Sequence, residues 1–282
     1  MYPGKYAERN PDRPAFVMAA TGERVSYQEF EARSNRVAHY LADKGLGFQD
    51  HYSIFMENNN RYLESCAAGE RSGLYFTCIN SFLTSDELAY IINNSESKIL
   101  ITSISKLEAA QEALAQCAAI KEVLVVGAGD ADLPEGMSDF ESALSKYPET
   151  PLERELLGAA MLYSSGTTGR PKGIVRPLPE QSPDEPLPVI GFLSGLWRYR
   201  EDMIYLSPAP LYHSAPQAAV GLTLRMGGTV VIMERFDPAD YLRFVEEYQV
   251  SHSQLVPTMF SRMLKMPEED RTKFDLSSLE VA

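Results

Sequence analysis

A chain of 282 residues with 44% hydrophobic content can bury one large core or two smaller ones. Its 39 acidic and 26 basic residues give a net charge of −13, which argues against general binding to nucleic acid or anionic membrane. An anion site in such a protein has to be a local feature.

In chain order, Ser26-x-x-Glu29 is a capping box, and Phe30, Val37, Ala38 and Leu41 follow at helical spacing until Gly45. Residues 52–56 read as a short strand, 61–72 as helix and 74–79 as strand. Thr84-x-x-Glu87 opens a helix to about residue 93, with Asp86 and Glu87 favoured in its first turn by the macrodipole. Residues 98–102 are strand, 105–117 helix and 121–126 strand. Residues 127–154 are looser and acidic, with one short helix near 138–146. An apolar run at 159–163 reads as a strand, and prolines 177, 179, 183, 186 and 188 make the next stretch a surface loop. Beyond it, strands at 203–207, 229–233 and 253–256 alternate with helices at 216–226, 238–248 and 258–265.

This alternation predicts an α/β fold: a doubly wound, mainly parallel sheet with flanking helices, then the start of a second, similar subdomain. The expected divisions are 1–176, the proline-rich loop 177–188, and 189–282. Cys66, Cys78 and Cys117 are scattered without zinc-ligand spacing and suit a reducing compartment. The polar residues 2–12 carry no leader pattern, and no apolar run approaches membrane-spanning length, so a soluble cytoplasmic protein is expected.

The stretch Tyr163-Ser-Ser-Gly-Thr-Thr-Gly-Arg-Pro-Lys-Gly173 carries the most chemistry. Gly166 and Gly169 lack a Cβ, so the backbone there can turn its N–H groups into one concavity. The hydroxyls of Ser164, Ser165, Thr167 and Thr168 can donate to phosphate oxygens. Arg170 offers a planar fork and Lys172 a mobile point charge, while Pro171 stiffens the exit. This set suits a triphosphate or pyrophosphate, although a Ser/Thr/Gly-rich surface turn has a similar composition. The spacing is not that of the nucleoside-triphosphatase P-loop, because Pro171 precedes the lysine and Gly173 follows it.

His213, bracketed by Pro210 and Pro216, reads either as a turn histidine or as a residue at a pocket mouth, with Tyr212 adding aromatic surface. His252 has apolar neighbours and fits core packing as well as a pocket wall. His39 and His51 read as surface or helix-face residues. Phe192, Trp197 and Tyr199 read as packing residues, as do Met259, Phe260 and Met263.

The ordered string 163–173 resembles the phosphate loop of the adenylate-forming superfamily, which includes acyl-CoA synthetases, peptide-synthetase adenylation domains and luciferases. Ser164 stands where threonine is usual, and a hydroxyl is kept. Residues 25–46 are similar to the family's opening strand and helix, 205–216 to its Pro-Leu-Tyr-His motif, and 250–264 to the segment before a Gly-Ala-Ala-Pro motif. The similarity runs from about Glu8 to the last residue. It implies ATP, Mg2+ and a carboxylic acid, fatty or aromatic, joined through an acyl-adenylate and passed to coenzyme A.

The resemblance further implies that Ser164, Ser165, Gly166, Thr167, Thr168, Gly169 and Lys172 hold the nucleotide phosphates. Ser164 would reach the magnesium ion. Lys172 and His213 would act in catalysis, with His213 beside the acyl carboxylate and not transferring a proton. The family's magnesium glutamate, ribose aspartate and adenylation lysine belong to motifs not found in these residues. The chain is therefore expected to be the N-terminal part of such an enzyme, inactive alone and self-associating through an exposed apolar face. The alternatives are a peptide-synthetase-type adenylation domain and a non-catalytic nucleotide-binding module.

Overall fold

The computed structural model describes residues 2–164 and 170–282, with Ser164 described by its backbone alone. Along the chain the strands are β1 (Pro14–Met18), β2 (Arg24–Ser26), β3 (His51–Phe55), β4 (Tyr75–Cys78), β5 (Ile99–Ser103), β6 (Glu122–Val126), β7 (Met137–Asp139), β8 (Ala159–Ala160), β9 (Leu162–Ser164), β10 (Lys172–Ile174), β11 (Ile204–Ser207), β12 (Thr229–Ile232) and β13 (His252–Ser253). They fall into two compact units.

One unit comprises Glu31–Glu57 and Arg61–Glu185. Its six-stranded sheet has the order β7-β6-β5-β3-β4-β8, with every neighbouring pair parallel. The central strand β5, Ile-Leu-Ile-Thr-Ser, is buried along its whole length, as expected for a parallel strand covered on both faces. Helix Ser85–Asn94 begins at the expected capping box. Thr84 Oγ1 accepts from Glu87 N at 3.4 Å, and Glu87 Oε2 accepts from Thr84 N at 3.0 Å. Leu88, Ile91 and Ile92 of this helix pack with Ala110 and Ala113 of helix Leu107–Leu114, and with Leu100 and Val123 of the sheet.

Helix Tyr62–Ser72 buries an arginine. Arg71 has no exposed surface. Its Nη2 donates to Glu31 Oε1 and Oε2 at 2.8 and 2.7 Å, its Nε lies 2.9 Å from Glu155 Oε1, and its Nη1 bonds Ser34 Oγ and Asn35 Oδ1. Close approach also shapes this region. A Cβ on Gly158 would stand 2.1 Å from the Gly69 carbonyl oxygen and 2.4 Å from that of Leu74, so only glycine fits where the chain enters β8.

The other unit comprises the residues through Phe30, Asn58–Asn60 and Pro186–Ala282. Its sheet has the order β13-β11-β12-β1-β2. β1 runs parallel to β12, with Phe16 opposite Val230, and β2 returns antiparallel along β1. This pairing corrects the expected subdomain 1–176: the first two strands complete the sheet of the C-terminal stretch. The apolar run Ala-Phe-Val-Met finds its partner there, and Phe16 and Val17 are buried in that sheet. Helices Ser214–Arg225, Pro238–Tyr248 and Pro257–Leu264 accompany these strands, close to the expected positions. Met259 and Met263 join Leu206, Val231, Phe244 and Val245 in its core.

Candidate functional site

The hydroxyl-rich string is bracketed by a two-stranded antiparallel ribbon. Ser164 pairs with Lys172, Tyr163 with Gly173, and Leu162 with Ile174. Ser165, Gly166, Thr167, Thr168 and Gly169 lie outside the described residues, as does the side chain of Ser164. Lys172 is exposed at the end of the ribbon, on the strand position facing the Ser164 backbone.

The ribbon stems are tied to their unit by named contacts. Met161 and Tyr163 pack with Tyr75 and Leu178. The Tyr163 hydroxyl donates to Asn94 Oδ1 at 2.7 Å, and burial raises its pKa to about 12, so it stays a donor at neutral pH. Tyr90 holds the far stem twice: its hydroxyl donates to the Pro171 carbonyl at 3.1 Å, and its ring lies 5.0 Å from the Arg170 guanidinium. A Cβ on Gly173 would meet Met161 Cε at 2.3 Å and the Tyr163 ring at 3.0 Å, so the ribbon packs closely on Met161 and Tyr163 here. Arg170 and Lys172 are thus both exposed cations beside the string, and Arg170 rests on an aromatic face.

His213 occupies the N-cap position of helix Ser214–Arg225, with its backbone N–H on the Pro210 carbonyl at 3.2 Å. Its ring lies 4.4 Å from that of Tyr212, and partial desolvation holds its imidazole below the ordinary histidine value. An imidazole that stays neutral at physiological pH can orient a ligand by hydrogen bonding without adding charge.

The next turns of the same helix line an apolar cavity of about 310 Å³. Ala215, Ala218, Ala219 and Leu222 form one wall, and Leu193, Trp197 and Phe260 lie among the others. The alanines recur at i, i+3 and i+4, so a single helix face leaves room for a ligand. Trp197 and Phe260 border this space, whereas Phe192, expected to pack, is 68% exposed. His252 lines the cavity too, yet it is buried: its Nδ1 lies 2.8 Å from Ser251 Oγ and its Nε2 3.0 Å from the Trp197 carbonyl. His51, expected at the surface, starts β3 and stacks on Tyr75 at 4.7 Å.

Burial holds the His252 imidazole below its ordinary value, with the Trp197 carbonyl opposing and Arg200 assisting. The unfolded chain takes a proton near pH ~6.5, while the folded chain takes it only at lower pH. Stability present above the unfolded pKa is thus lost as pH falls through the window between the two values. Melting temperatures at pH 7.5 and 5.5 should fall less for His252→Gln than for the wild type. Equal slopes would remove His252 from the acid response.

Tyr90 and Asn94 belong to no motif, and their spacing in helix Ser85–Asn94 says only that they share a helix. Their role comes from the ribbon that folds against them. Among the described residues, no group of three or more His, Cys, Asp or Glu side chains is arranged to hold a metal ion. Among the same residues, no helix is long and apolar enough to cross a membrane.

Mainly parallel sheets flanked by helices, and a glycine- and hydroxyl-rich string bracketed by an antiparallel ribbon, are thus present in one chain. The chain belongs to the AMP-binding enzyme family, whose model matches residues 5–282. It is 28% identical over 273 residues to 4-coumarate–CoA ligase 1 of Petroselinum crispum, covering 95% of this chain and 48% of that protein. It is also 28% identical over 287 residues to a medium/long-chain-fatty-acid–CoA/3-oxocholest-4-en-26-oate–CoA ligase of Mycolicibacterium smegmatis, covering 95% and 52%. The chain spans about half the length of the curated relatives it matches. Among solved structures, the inhibitor-bound N-terminal domain of FACL13 from Mycobacterium tuberculosis superposes with a TM-score of 0.80 at 21% identity, over 98% of this chain and 67% of that one. Apo MatB from Rhodopseudomonas palustris gives 0.73 at 28% identity, over 96% and 53%.

Proposed function

We propose that the protein activates a carboxylic acid with ATP and transfers the acyl group to coenzyme A. The observation that carries this reading is the string Ser164–Lys172, held by a braced ribbon in a chain of the AMP-binding enzyme family. A carboxylate oxygen attacks the α-phosphorus of ATP, the bond to the β-phosphate oxygen breaks, and pyrophosphate leaves. The thiol sulfur then attacks the acyl carbonyl, the mixed anhydride bond breaks, and AMP leaves with the thiol proton released. Magnesium enters as part of the MgATP substrate.

The residues divide this work. Ser164, Ser165, Thr167 and Thr168, with the backbone at Gly166 and Gly169, donate to the β- and γ-phosphates. Lys172 neutralises charge on the departing pyrophosphate. Donors fixed in advance suit this step, because the charge they stabilise appears only as the bond breaks. His213 orients the carboxylate at the N-terminus of helix Ser214–Arg225, where the helix dipole favours an anion. The acyl chain then runs along the alanine face into the cavity of about 310 Å³. Because the relatives are about twice as long, the proposal gives these residues the pyrophosphate and acyl ends of the reaction and leaves the remaining contacts to other residues of the intact protein.

Acid-dependent exchange of labelled pyrophosphate into ATP by the intact protein, measured with a panel of fatty and aromatic acids, tests the reading directly. Exchange with no acid in the panel would overturn it. A narrower test fills the cavity. Ala218 is exposed at its wall, so Ala218→Trp should fold normally and still reduce use of the longest acids. A pocket discriminates methylene groups by roughly 10- to 200-fold, so a loss of about tenfold or more is expected for long acids against short ones. An unaltered preference would remove this cavity from the acyl path.

A further inference from the structure

We propose that Asn58 is a positioning residue for acid activation, its side-chain amide fixing the turn that delivers His213. The proposal rests on the function given above for His213. It starts from an amide that is used almost completely. Asn58 is 7% exposed. Its Nδ2 donates to the Ala209 carbonyl at 3.2 Å and to the Met233 carbonyl at 2.9 Å, and its Oδ1 accepts from Leu211 N at 2.9 Å. Both amide donors and an oxygen lone pair are thereby engaged.

The partners identify the task. Ala209 and Leu211 flank Pro210, in the turn that leaves β11 at Ser207 and reaches His213. Pro208 and Pro210 have no N–H of their own to tie this turn down. Met233 immediately follows β12, the strand beside β11. Asn58 therefore closes a span between the carboxyl ends of two neighbouring parallel strands, the place where α/β sheets carry their ligands. His213 lies two residues beyond the pinned Leu211 N–H, and its own N–H is held by the Pro210 carbonyl at 3.2 Å. No other residue type of this size both donates twice and accepts once. Aspartate would keep the bond from Leu211 and lose both donations.

A purely structural staple predicts something different from a positioning residue. In the intact protein, Asn58→Asp and Asn58→Ala are compared with the wild type by acid-dependent ATP–pyrophosphate exchange, in His213 and His213→Ala backgrounds. Displacing a reacting group slightly costs up to roughly 100-fold, so kcat should fall about 10- to 100-fold with little change in KM for ATP. That loss should nearly vanish in the His213→Ala background. Equal losses in both backgrounds, or full exchange below a lowered melting temperature, would reduce Asn58 to a staple and overturn the proposal. NMR titration gives a second reading independent of activity. The His213 pKa should rise toward the ordinary histidine value in folded Asn58→Ala, which removes the amide without adding a charge, and an unmoved pKa overturns positioning by itself. If the wild type shows no exchange with any acid, the ligase reading fails and the titration alone decides whether Asn58 sets His213.

Discussion

Arg71→Ala is expected to destabilise the protein by about 3–5 kcal/mol, the range for removing one partner of a buried ion pair. The guanidinium is fully buried, and the carboxylates it joins, Glu31 and Glu155, are only 14% and 11% exposed. Taking the cation away strands two desolvated anions and leaves Ser34 and Asn35 without the donor they share. The cost should come from those orphaned groups more than from lost attraction. Replacing all three at once, Arg71→Met with Glu31→Leu and Glu155→Leu, should therefore recover much of the loss. Urea unfolding followed by circular dichroism measures both. A single-variant loss below about 1 kcal/mol, or a triple variant worse than the single one, would show that the network is no more than a surface-like ion pair.

The second large effect falls on activity with stability left alone. Lys172→Ala should slow acid-dependent pyrophosphate exchange by roughly 100- to 1000-fold, the cost of removing one preorganised donor from a developing charge. Lys172 is exposed on the ribbon, so the melting temperature should not change. Lys172→Arg should restore the charge and only part of the rate, because a planar fork cannot occupy the place of a compact ammonium. An unchanged exchange rate in Lys172→Ala would detach the lysine from the pyrophosphate, whatever the rest of the string does.

Much of the helical framework could be read directly, because its signals are local. The Thr84–Glu87 and Ser26–Glu29 capping boxes both form as read, the latter with Ser26 N on Glu29 Oε2 at 2.8 Å. Pro238 opens its helix and Asp237 caps it, within the range that spacing alone suggests. What escaped reading is non-local. Pro14–Met18 is a short apolar run that has no strand signature until Val230 and Val231 lie beside it. The string 163–173 was legible by its order, but its bracing was not: Tyr90 and Asn94 sit in an ordinary amphipathic helix, and only the ribbon gives their polar tips a purpose. Asn58 was silent for the same reason, since its three partners lie more than 150 positions away.

The pairing of Phe16 with Val230 also sets an order of events during synthesis. The residues of the unit built mainly from 31–185 are nearly contiguous and emerge together, so its contacts can form while the chain is still being made. Strand β1 has β2 along one edge at once, but its other edge must wait for β12, made more than 200 residues later. Its exposed edge is meanwhile a template for pairing with the wrong chain. Yield from a cell should therefore depend on what shields the open edge of β1 in the nascent protein.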